Sequence, residues 1–529
     1  MREIDFVPQK HYMVDITNKL KQIKELIDAE RYFTINRGRQ YGKTTTLAML
    51  RRFLADEYIV ISLSFQGSGS HVFSDEESFC HMLLGMISNA LRLTSVSENY
   101  RKAWNNQEVS NIYQLARHVS KMCEGRKVVL MIDEVDQMSN NFVFLSFLGM
   151  LRELFLVRYE GIDFTFHSVI LAGVYDIKNV KQRLIQEGLH TPTQAETTIY
   201  NSPWNIAISF EVEMSFSVSE IETMLKAYEL DYQTGMDISE VAAEIYDYTS
   251  GYPVLVSSIC KCIDEKLGKA WTSTGIRKAV KLVLKEDSPL FQSLVKNLTS
   301  NEEFSNLVYH LLMTQARWSF NLDDPFVSLG ARYGYFKEDK GRVRIANKIF
   351  EIRLINYFSN QRFREKALAN PTANVYEEGI VTNGKFNMQT CLEKFAKYYY
   401  QYYSDKDIDF LEREARQLFL LFISSVLNGG GFAQIESGIV DGRSMDIVAV
   451  YQGEQFIVET KIWRGTKRHD DGYEQLLGYM DKLSLAEGYL LTFDFRQGKQ
   501  RQQEWVSMDK GRKIFDVRFR LFPTRKKPI

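Results

Sequence analysis

The chain has 529 residues, too many for a single hydrophobic core, and this length indicates roughly three to four domains. Apolar residues make up 45% and charged residues 25% of the chain, so long disordered segments are not expected. The 66 basic and 67 acidic residues leave a net charge of −1, which excludes nucleic-acid binding through overall charge and leaves it to local patches.

No export or membrane segment is expected. The first ten residues, MREIDFVPQK, lack the apolar stretch of a signal peptide, and the longest apolar run, LFLLFISSVL from Leu418, is shorter than the ~18 residues that span a membrane. The cysteines form no CxxC pair, which favours reduced thiols over disulfides or a zinc site. These cysteines are Cys80, Cys123, Cys260, Cys262 and Cys391. We therefore expect a cytoplasmic protein.

The first predicted element with a recognisable chemistry is a strand, loop and helix around NRGRQYGKTTT, residues 36–46. RYFTI, before this loop, is rich in aromatic and β-branched residues, as in a strand. Leu47, Leu50 and Leu54, after the loop, recur at helical spacing. A loop between a strand and a helix points backbone N–H groups at an anion, so a phosphate-binding loop is predicted here.

This loop has the working parts of a Walker A motif. Lys43 is expected to reach terminal phosphates and Thr44 to ligate Mg²⁺. The standard spacing would place glycine at Arg37, whereas the glycine here is Gly38. The predicted nucleotide-binding residues of the loop are Gly38, Arg39, Gln40, Tyr41, Gly42, Lys43, Thr44 and Thr45.

A second motif, KVVLMIDEVDQ, supports a nucleotide site. Val128–Ile132 is an apolar run of the length of a buried parallel strand, and it ends at two acids. Asp133 is expected to hold Mg²⁺ through water, and Glu134 to polarise the attacking water. A further strand, SVILAG from Ser168, follows a helical pattern, as a doubly wound sheet requires.

These motifs, in this order, resemble the AAA-like ATPases of bacteria and archaea that are related to the STAND class. The resemblance covers about residues 5 to 290 and is carried by HYMVDIT, YFTINRGRQYGKTT, LMIDEVD, ILAGVYDIKNV, SPWNIA and SGYPVLV. It implies an α/β ATPase domain at residues 1–287, with a P-loop doubly wound parallel sheet and a helical lid. It also implies ATP and Mg²⁺ as ligands, with Tyr12 packed near the adenine.

Two functional positions of this resemblance are less clear in the sequence. SVILAG does not end in an obvious polar sensor residue, which leaves Asp176 as a candidate. Arg152 and Arg158 are candidates for an arginine finger, against the alternative that both are solvated helix arginines. The turn at Gly251–Pro253 resembles the GxP turn of STAND-type lids, and a helix-opening turn with proline near its first position explains it equally well.

Residues 288–358 are expected to form a small winged-helix-like module. YGYFKEDKGRVRIA, from Tyr333, is predicted to be a β-hairpin with a charged tip. Its basic residues are candidates for DNA phosphate contacts, against the alternative of a solvated tip. They are Lys337, Lys340, Arg342 and Arg344. Residues 359–404 are expected to form a helical connector.

The C-terminal third contains GRSMDIVAVYQGEQFIVETKIWRG, which indicates two strands joined by a turn. With a two-residue turn at Gln452 and Gly453, paired positions add up to 905, and Asp446 stands opposite Glu459. Cβ atoms paired in this way lie roughly 4.5–5.5 Å apart, close enough for both carboxylates to hold one divalent ion. Lys461 points to the same face, where it can stabilise a phosphate or orient water.

This pattern resembles the PD-(D/E)XK nuclease superfamily over about residues 405–529. The resemblance makes Asp446 the first acid and Glu459, Thr460 and Lys461 the E-x-K, with Mg²⁺ or Mn²⁺ held by the first three. Glu412 or Glu414 on the preceding helix and Glu436 on the preceding strand are further candidate acids. Gln475 and Tyr479 resemble the Q-x-x-x-Y helix of that superfamily. The basic segments IWRGTKR and RFRLFPTRKKPI add candidate phosphate contacts.

The sequence therefore predicts a cytoplasmic ATPase fused to a metal-dependent nuclease-like domain that acts on DNA, with the nucleotide state controlling cleavage. The alternative is a STAND-like regulatory switch whose C-terminal domain only binds nucleic acid or a protein partner. A homo-oligomer and an unidentified protein trigger are also expected, and a role in phage defence is suggested by analogy alone. His469, beside Asp470, is expected to lie in a surface turn.

Overall fold

The computed structural model describes residues 12–66, 75–135, 142–173, 204–313, 318–369, 379–402, 412–427, 430–435, 447–463, 466–497 and 501–522. The chain divides into two compact units. The first comprises Met1–Phe216 and Leu329–Gly334, and the second comprises Ser217–Ser328 and Tyr335–Ile529. The limits of these units fall inside the predicted domains 1–287 and 288–358, and the four predicted domain limits stay a prediction.

A parallel β-sheet forms the centre of the first unit. Its strands are β1 (Phe33–Asn36), β2 (Ile59–Ser64), β3 (Val128–Asp133) and β4 (Ser168–Gly173). The strand order is β1-β4-β3-β2, and all neighbours are parallel. Every residue of β3 and β4 is buried, as expected for parallel strands covered on both faces. The predicted strands of this region are confirmed.

Helices of the first unit flank this sheet, and the four that follow β2 share one apolar core. The helices of this unit are α1 (Thr17–Asp28), α2 (Lys43–Leu54), α3 (Glu76–Ala90), α4 (Glu98–Trp104), α5 (Ile112–Cys123) and α6 (Phe142–Tyr159). Trp104, Phe147 and Phe166 are among the buried side chains of the core. Val128, Leu130 and Ile132 of β3 lie in the same cluster, so burial of this strand fixes the position of the acids at its end.

The second unit begins with four helices: α7 (Val218–Tyr232), α8 (Ile238–Thr249), α9 (Pro253–Lys266) and α10 (Ser273–Lys285). A reciprocal capping box between Ser217 and Glu220 opens α7. Ser250 and Gly251 have positive φ angles, and Pro253 is the first residue of α9. The turn predicted at this point therefore opens a helix. Cys260 and Cys262 lie on α9, and all five cysteines are free thiols.

Helices α11 (Pro289–Ser300), α12 (Glu302–Met313) and α13 (Pro325–Arg332) precede the predicted hairpin. Its antiparallel strands are β5 (Phe336–Asp339) and β6 (Arg342–Ile345). Lys340 and Gly341 both have positive φ, as a two-residue turn of type I′ requires. The hairpin is thus confirmed. Helix α14 (Lys348–Ala369) continues past the predicted limit at residue 358, because no proline or glycine ends it there.

A two-stranded hairpin, β7 (Val381–Thr382) with β8 (Lys385–Phe386), lies within the segment predicted as a helical connector. Helix α15 (Met388–Tyr402) follows it. The next described element is helix α16 (Glu412–Leu427).

Helix α16 leads into a six-stranded mixed sheet. Its strands and the helix within it are β9 (Gly431–Ile435), β10 (Ile447–Tyr451), β11 (Glu454–Ile462), α17 (Thr466–Lys482), β12 (Glu487–Gln497), β13 (Arg501–Ser507) and β14 (Lys513–Phe522). The strand order is β13-β14-β12-β11-β10-β9. β9, β10 and β11 are antiparallel, whereas β11, β12 and β14 run parallel. Helix α17 makes the crossover from β11 to β12.

Among the described residues, no helix has the length and apolar character needed to cross a membrane.

Candidate functional site

The loop between β1 and α2 has the backbone of an anion site. Gly42 is the N-cap of α2 with φ 80°, and Gln40 also has a positive φ, of 58°. These left-handed residues turn the chain sharply into the helix. The first turn of α2 contains no acidic residue, so nothing there opposes a negatively charged ligand at the helix N-terminus.

Packing explains why the loop has glycine at position 38, one residue later than in the standard Walker A spacing. A Cβ atom at Gly38 would lie 2.3 Å from the carbonyl oxygen of Tyr333, which belongs to the segment Leu329–Gly334 of the same unit. Separations under 3.0 Å essentially never occur for real Cβ atoms. Glycine is therefore required at position 38 because another part of the backbone approaches it closely.

Lys43 and Thr44 are held at the start of α2. Lys43 is 6% exposed, and its Nζ donates to the carbonyl oxygens of Arg37 (2.9 Å) and Gly38 (3.0 Å). Thr44 Oγ1 donates to Asp133 Oδ2 at 2.5 Å. A hydroxyl and a carboxylate therefore meet at the end of β3, and hard oxygen ligands of this kind suit Mg²⁺. The structure thus brings together the two residues predicted as magnesium ligands.

Glu134 follows Asp133 in a strained backbone conformation. Its φ is 56°, which is uncommon for a residue other than glycine, and its N–H donates to Asp133 Oδ1 at 2.9 Å. Strain of this kind collects at functional sites, where the surrounding structure maintains it. Glu134, the acid expected to polarise water, therefore has an uncommon backbone conformation next to Asp133, the residue predicted to hold magnesium.

The other predicted nucleotide residues lie in or near this loop. Tyr41 is half-buried, and its hydroxyl is 2.6 Å from Ser215 Oγ. Arg39 is exposed and Thr45 is half-buried in the first turn of α2. Tyr12 is half-buried in the segment before α1. A role for Tyr12 at the adenine stays a prediction.

The Arg158 side chain is 16% exposed and engaged within the protein, so it is not a solvated helix arginine, and a role as an arginine finger stays a prediction. Its guanidinium donates to the carbonyl oxygens of Phe166, His167 (2.8 Å) and Glu30 (3.0 Å), and it lies 5.6 Å from the centre of the Tyr32 ring. These contacts tie the end of α6 to the edge of the sheet. Arg152 is half-buried on the same helix, and the sensor candidate Asp176 lies outside the described residues.

The C-terminal sheet has the predicted strand register. Ile447 pairs with Val458 and Tyr451 pairs with Glu454, so paired positions add up to 905. Gln452 and Gly453 form the two-residue turn, with φ angles of 53° and 91°. Asp446, the predicted first acid, lies outside the described residues, as does Glu436.

Glu459 and Lys461 lie on the same face of β11. Glu459 is fully buried and forms an ion pair with Lys461 Nζ. Lys461 is 8% exposed and also donates to Gln475 Oε1 of α17 at 3.0 Å. A buried carboxylate needs a cationic partner to offset its lost hydration, and this lysine provides one. Three of the predicted catalytic residues are therefore in contact.

Thr460 points to the opposite face of the sheet. It is 2% exposed, and its Oγ1 accepts a hydrogen bond from Arg416 Nε of α16 at 3.3 Å. Its main-chain carbonyl is thus the atom through which it would hold a metal. Glu412 and Glu414 lie on α16, and Tyr479 is buried on α17 one turn beyond Gln475. Within the described residues, no three His, Cys, Asp or Glu side chains form a metal-binding group.

The expectation that His469 lies in a surface turn is wrong. His469 is on α17, its side chain is 14% exposed, and its Nε2 lies 2.7 Å from Asp516 Oδ2 of β14. His469 and Asp516 are 47 positions apart in the sequence, so no local sequence pattern could predict their contact. The only sequence signal was the four-residue spacing of His469 and Tyr473, which share a helix face.

The basic residues of the β5–β6 hairpin are partly engaged within the protein. Lys337 Nζ donates to Ser250 Oγ at 3.0 Å, and Arg344 Nε lies 3.5 Å from Asp339 Oδ2. Lys340 is exposed at the turn and Arg342 is half-buried. The predicted set of four cations is therefore not a single open surface.

Comparison with known families gives a result for the first unit. Residues 10–170 match the family model described as an AAA-like domain. The match includes the loop at Lys43 and the strand end at Asp133. This part of the chain is therefore similar to AAA-like domains, which supports the predicted P-loop ATPase. The predicted ATPase is confirmed at this level, whereas the predicted nuclease finds no support in the comparisons.

Solved structures show a partial likeness at low identity. The Walker-type ATPase of Pyrococcus abyssi is 13% identical with a TM-score of 0.46, covering 65% of this chain and 96% of that one. The Aeropyrum pernix ORC2 protein, in ADPNP–ADP complexes, is 11% identical with a TM-score of 0.38, covering 69% and 98%. The ORC1 protein of that organism, in complex with DNA, is 11% identical with a TM-score of 0.30, covering 69% and 96%. These scores carry no functional conclusion. Among curated proteins, no match was found.

Proposed function

We propose that the protein is an ATP-hydrolysing enzyme with a metal-dependent nuclease domain that cleaves DNA, and that the nucleotide state controls cleavage. In the AAA-like domain, the loop N–H groups and Lys43 bind the phosphates of ATP. Thr44 and Asp133 would hold Mg²⁺, which would supply positive charge to offset the charge of the phosphates. Glu134 accepts a proton from the water that attacks the terminal phosphate.

The observation that supports a nuclease is the buried pair of Glu459 and Lys461 on one face of β11, in the register predicted from the turn. The order of elements also fits the PD-(D/E)XK resemblance: a helix, three antiparallel strands, a helix, and a strand parallel to the third. A carboxylate and an amine at this place would serve little purpose in a domain that only binds.

In this proposal Asp446, Glu459 and the carbonyl of Thr460 would hold a divalent ion, which would supply positive charge beside the scissile phosphate. Lys461 stabilises the negative charge that develops on the phosphate oxygens. Gln475 keeps the lysine amine in place through the 3.0 Å hydrogen bond. Water adds to phosphorus and gives up one proton to solvent, the bond from phosphorus to the leaving oxygen breaks, and the leaving oxygen takes up one proton from solvent.

Control by the nucleotide has a structural route within the second unit. Helix α10 belongs to the helical group that the AAA-like resemblance makes a lid. Arg277 Nε on this helix donates to the carbonyl oxygen of Gly453 at 3.2 Å, and Lys281 Nζ to Gln452 Oε1 at 3.5 Å. Helix α10, a part of the predicted lid, therefore contacts the turn that precedes β11, and β11 carries Glu459. A lid movement would be transmitted to this hairpin.

The test is release of fragments from supercoiled plasmid, linear duplex and single strands, with Mg²⁺ or Mn²⁺, and with or without ATP. Glu459→Gln is expected to abolish cleavage and to keep ATP hydrolysis. The matched control is Glu454→Gln, which changes an exposed glutamate of the same strand and is expected to cleave normally. Because breaking a buried ion pair can destabilise the fold, circular dichroism of both variants is compared first.

The outcomes separate the two predicted functions. Equal cleavage by Glu459→Gln and the unchanged protein would contradict the nuclease assignment. Loss of the ATP effect in Lys43→Ala, with cleavage retained, would show that the nucleotide controls the nuclease. Active ATP hydrolysis without cleavage of any substrate would favour the regulatory switch, in which the C-terminal domain only binds nucleic acid or a partner.

A further inference from the structure

A buried polar cluster lies beside the proposed nuclease residues, under helix α17. Asp516 of β14 is 8% exposed, and its Oδ2 accepts a hydrogen bond from the Tyr473 hydroxyl at 2.6 Å and lies 2.7 Å from His469 Nε2. The other ring nitrogen of His469, Nδ1, lies 3.4 Å from Thr492 Oγ1. One carboxylate on the sheet thus holds two side chains of the helix.

The strand register places this cluster next to Glu459 and Lys461. Lys461 pairs with Thr492 across parallel strands β11 and β12, and Glu459 lies in one row with Leu490 and Asp516. Side chains in one row of a sheet point to the same face. With strands spaced about 4.8 Å apart, Asp516 lies about 10 Å from Glu459, beneath the same helix.

Burying these polar side chains costs folding free energy, so a functional reason for the cluster is expected. Tyr473 loses hydration on burial and faces the Asp516 carboxylate, and burial and this hydrogen bond both raise the pKa of the tyrosine. The hydration that the Asp516 carboxylate loses on burial is compensated at Oδ2 alone, by Tyr473 and His469. Its other oxygen, Oδ1, is buried without a hydrogen-bond partner in the described part of the chain. An apolar contact would attach a helix to a sheet at lower cost.

We propose that His469, Tyr473 and Asp516 are positioning residues that fix helix α17 on the sheet so that Gln475 holds the amine of Lys461. Gln475 lies two residues after Tyr473 on this helix, and it is the residue that accepts the hydrogen bond from Lys461. Tilt or rotation of α17 would move the Gln475 amide away from that amine. This inference rests on the proposed nuclease, because the amine is placed for that reaction.

The test uses Tyr473→Phe and Asp516→Asn, with Tyr489→Phe as the matched control. Tyr489 is a buried tyrosine of β12, and its hydroxyl contacts only the nearby Glu487 among the hydrogen bonds described, at 3.5 Å. Its strand partner is Val458, which lies on the face of β11 opposite Glu459 and Lys461. The control therefore loses the same hydroxyl group on the other face of the sheet.

The first readout does not need cleavage. Each full-length protein is treated briefly with acetic anhydride, and acetylation of Lys461 is measured by peptide mass spectrometry. We expect Lys461 to react several-fold faster in Tyr473→Phe and Asp516→Asn, and at the original rate in Tyr489→Phe. Unchanged labelling in both test variants would overturn the proposal. Altered labelling in a protein that cuts no substrate would support the positioning and count against the proposed nuclease.

The second readout is cleavage kinetics. In Tyr473→Phe we expect kcat to fall by roughly tenfold or more with KM unchanged, because misplacement of a catalytic group by about 1 Å can cost a hundredfold in rate. A purely structural role would instead lower the fraction of folded enzyme, which near-ultraviolet circular dichroism measures. An unchanged kcat in a fully folded, cleaving Tyr473→Phe would also overturn the proposal.

Discussion

Replacing Gly38 by alanine tests the close approach of two distant backbone segments in the AAA-like domain. The added Cβ would lie 2.3 Å from the carbonyl oxygen of Tyr333 and 2.8 Å from its carbonyl carbon. Both are backbone atoms, which cannot rotate aside as the end of a flexible side chain can. Overpacking of this kind costs about 1–3 kcal/mol, so we expect the free energy of unfolding of the domain to fall by this amount.

The matched control is Gly85→Ala in helix α3, where a Cβ would meet no atom within 4 Å. Alanine in a helix interior is favoured over glycine by roughly 0.5–1 kcal/mol, so this variant is expected to be more stable than the unchanged protein. The two substitutions add the same methyl group and should change stability in opposite directions.

The assay is urea unfolding followed by tryptophan fluorescence, together with titration of a fluorescent ATP analogue. Gly38→Ala is expected to lower the unfolding midpoint and to weaken nucleotide binding, because the loop must move away from Tyr333. Gly85→Ala should leave nucleotide binding unchanged. If Gly38→Ala is as stable as Gly85→Ala and binds the nucleotide normally, the explanation of this glycine is wrong.

Three further substitutions separate the roles of other residues. Glu134→Gln is expected to slow ATP hydrolysis by about 10²–10⁴-fold with nucleotide affinity retained, and equal loss of both would contradict its role as a base. Arg158→Ala should lower the free energy of unfolding by about 1–3 kcal/mol by removing its hydrogen bonds to the carbonyls of Phe166, His167 and Glu30, and the folded fraction should still hydrolyse ATP at the original rate. Arg277→Ala is expected to reduce the effect of ATP on cleavage without removing either activity, whereas a full ATP effect would contradict the proposed route through the lid.

The sequence was informative where a feature depends on neighbouring residues. The turn at Gln452 and Gly453 fixes its own strand pairing, because both residues adopt positive φ and a two-residue turn permits a single register. The strand ending at Asp133 follows from a continuous apolar run. The helix-opening role of Pro253 is likewise local, since proline suits the first turn of a helix.

Features that join distant residues were missed for a physical reason. The contact of Gly38 with Tyr333, the bond of His469 to Asp516 and the engagement of Arg158 with Phe166 and His167 are all set by how elements pack. From sequence alone, a polar side chain on a helix is predicted to be exposed to solvent, because its partner on a distant element is not known. The order β1-β4-β3-β2 was likewise not fixed by the pattern of strands alone.

The interrupted path of the chain through the first unit bears on synthesis and on the choice of fragments. Leu329–Gly334 belongs to this unit although more than a hundred residues of the second unit precede it in the sequence. A nascent chain that has emerged only to residue 287 therefore lacks the backbone that lies against Gly38. An isolated fragment of residues 1–287 would share this gap, so its nucleotide loop would differ from that of the intact protein. A shortened protein meant for nucleotide measurements should extend beyond Gly334.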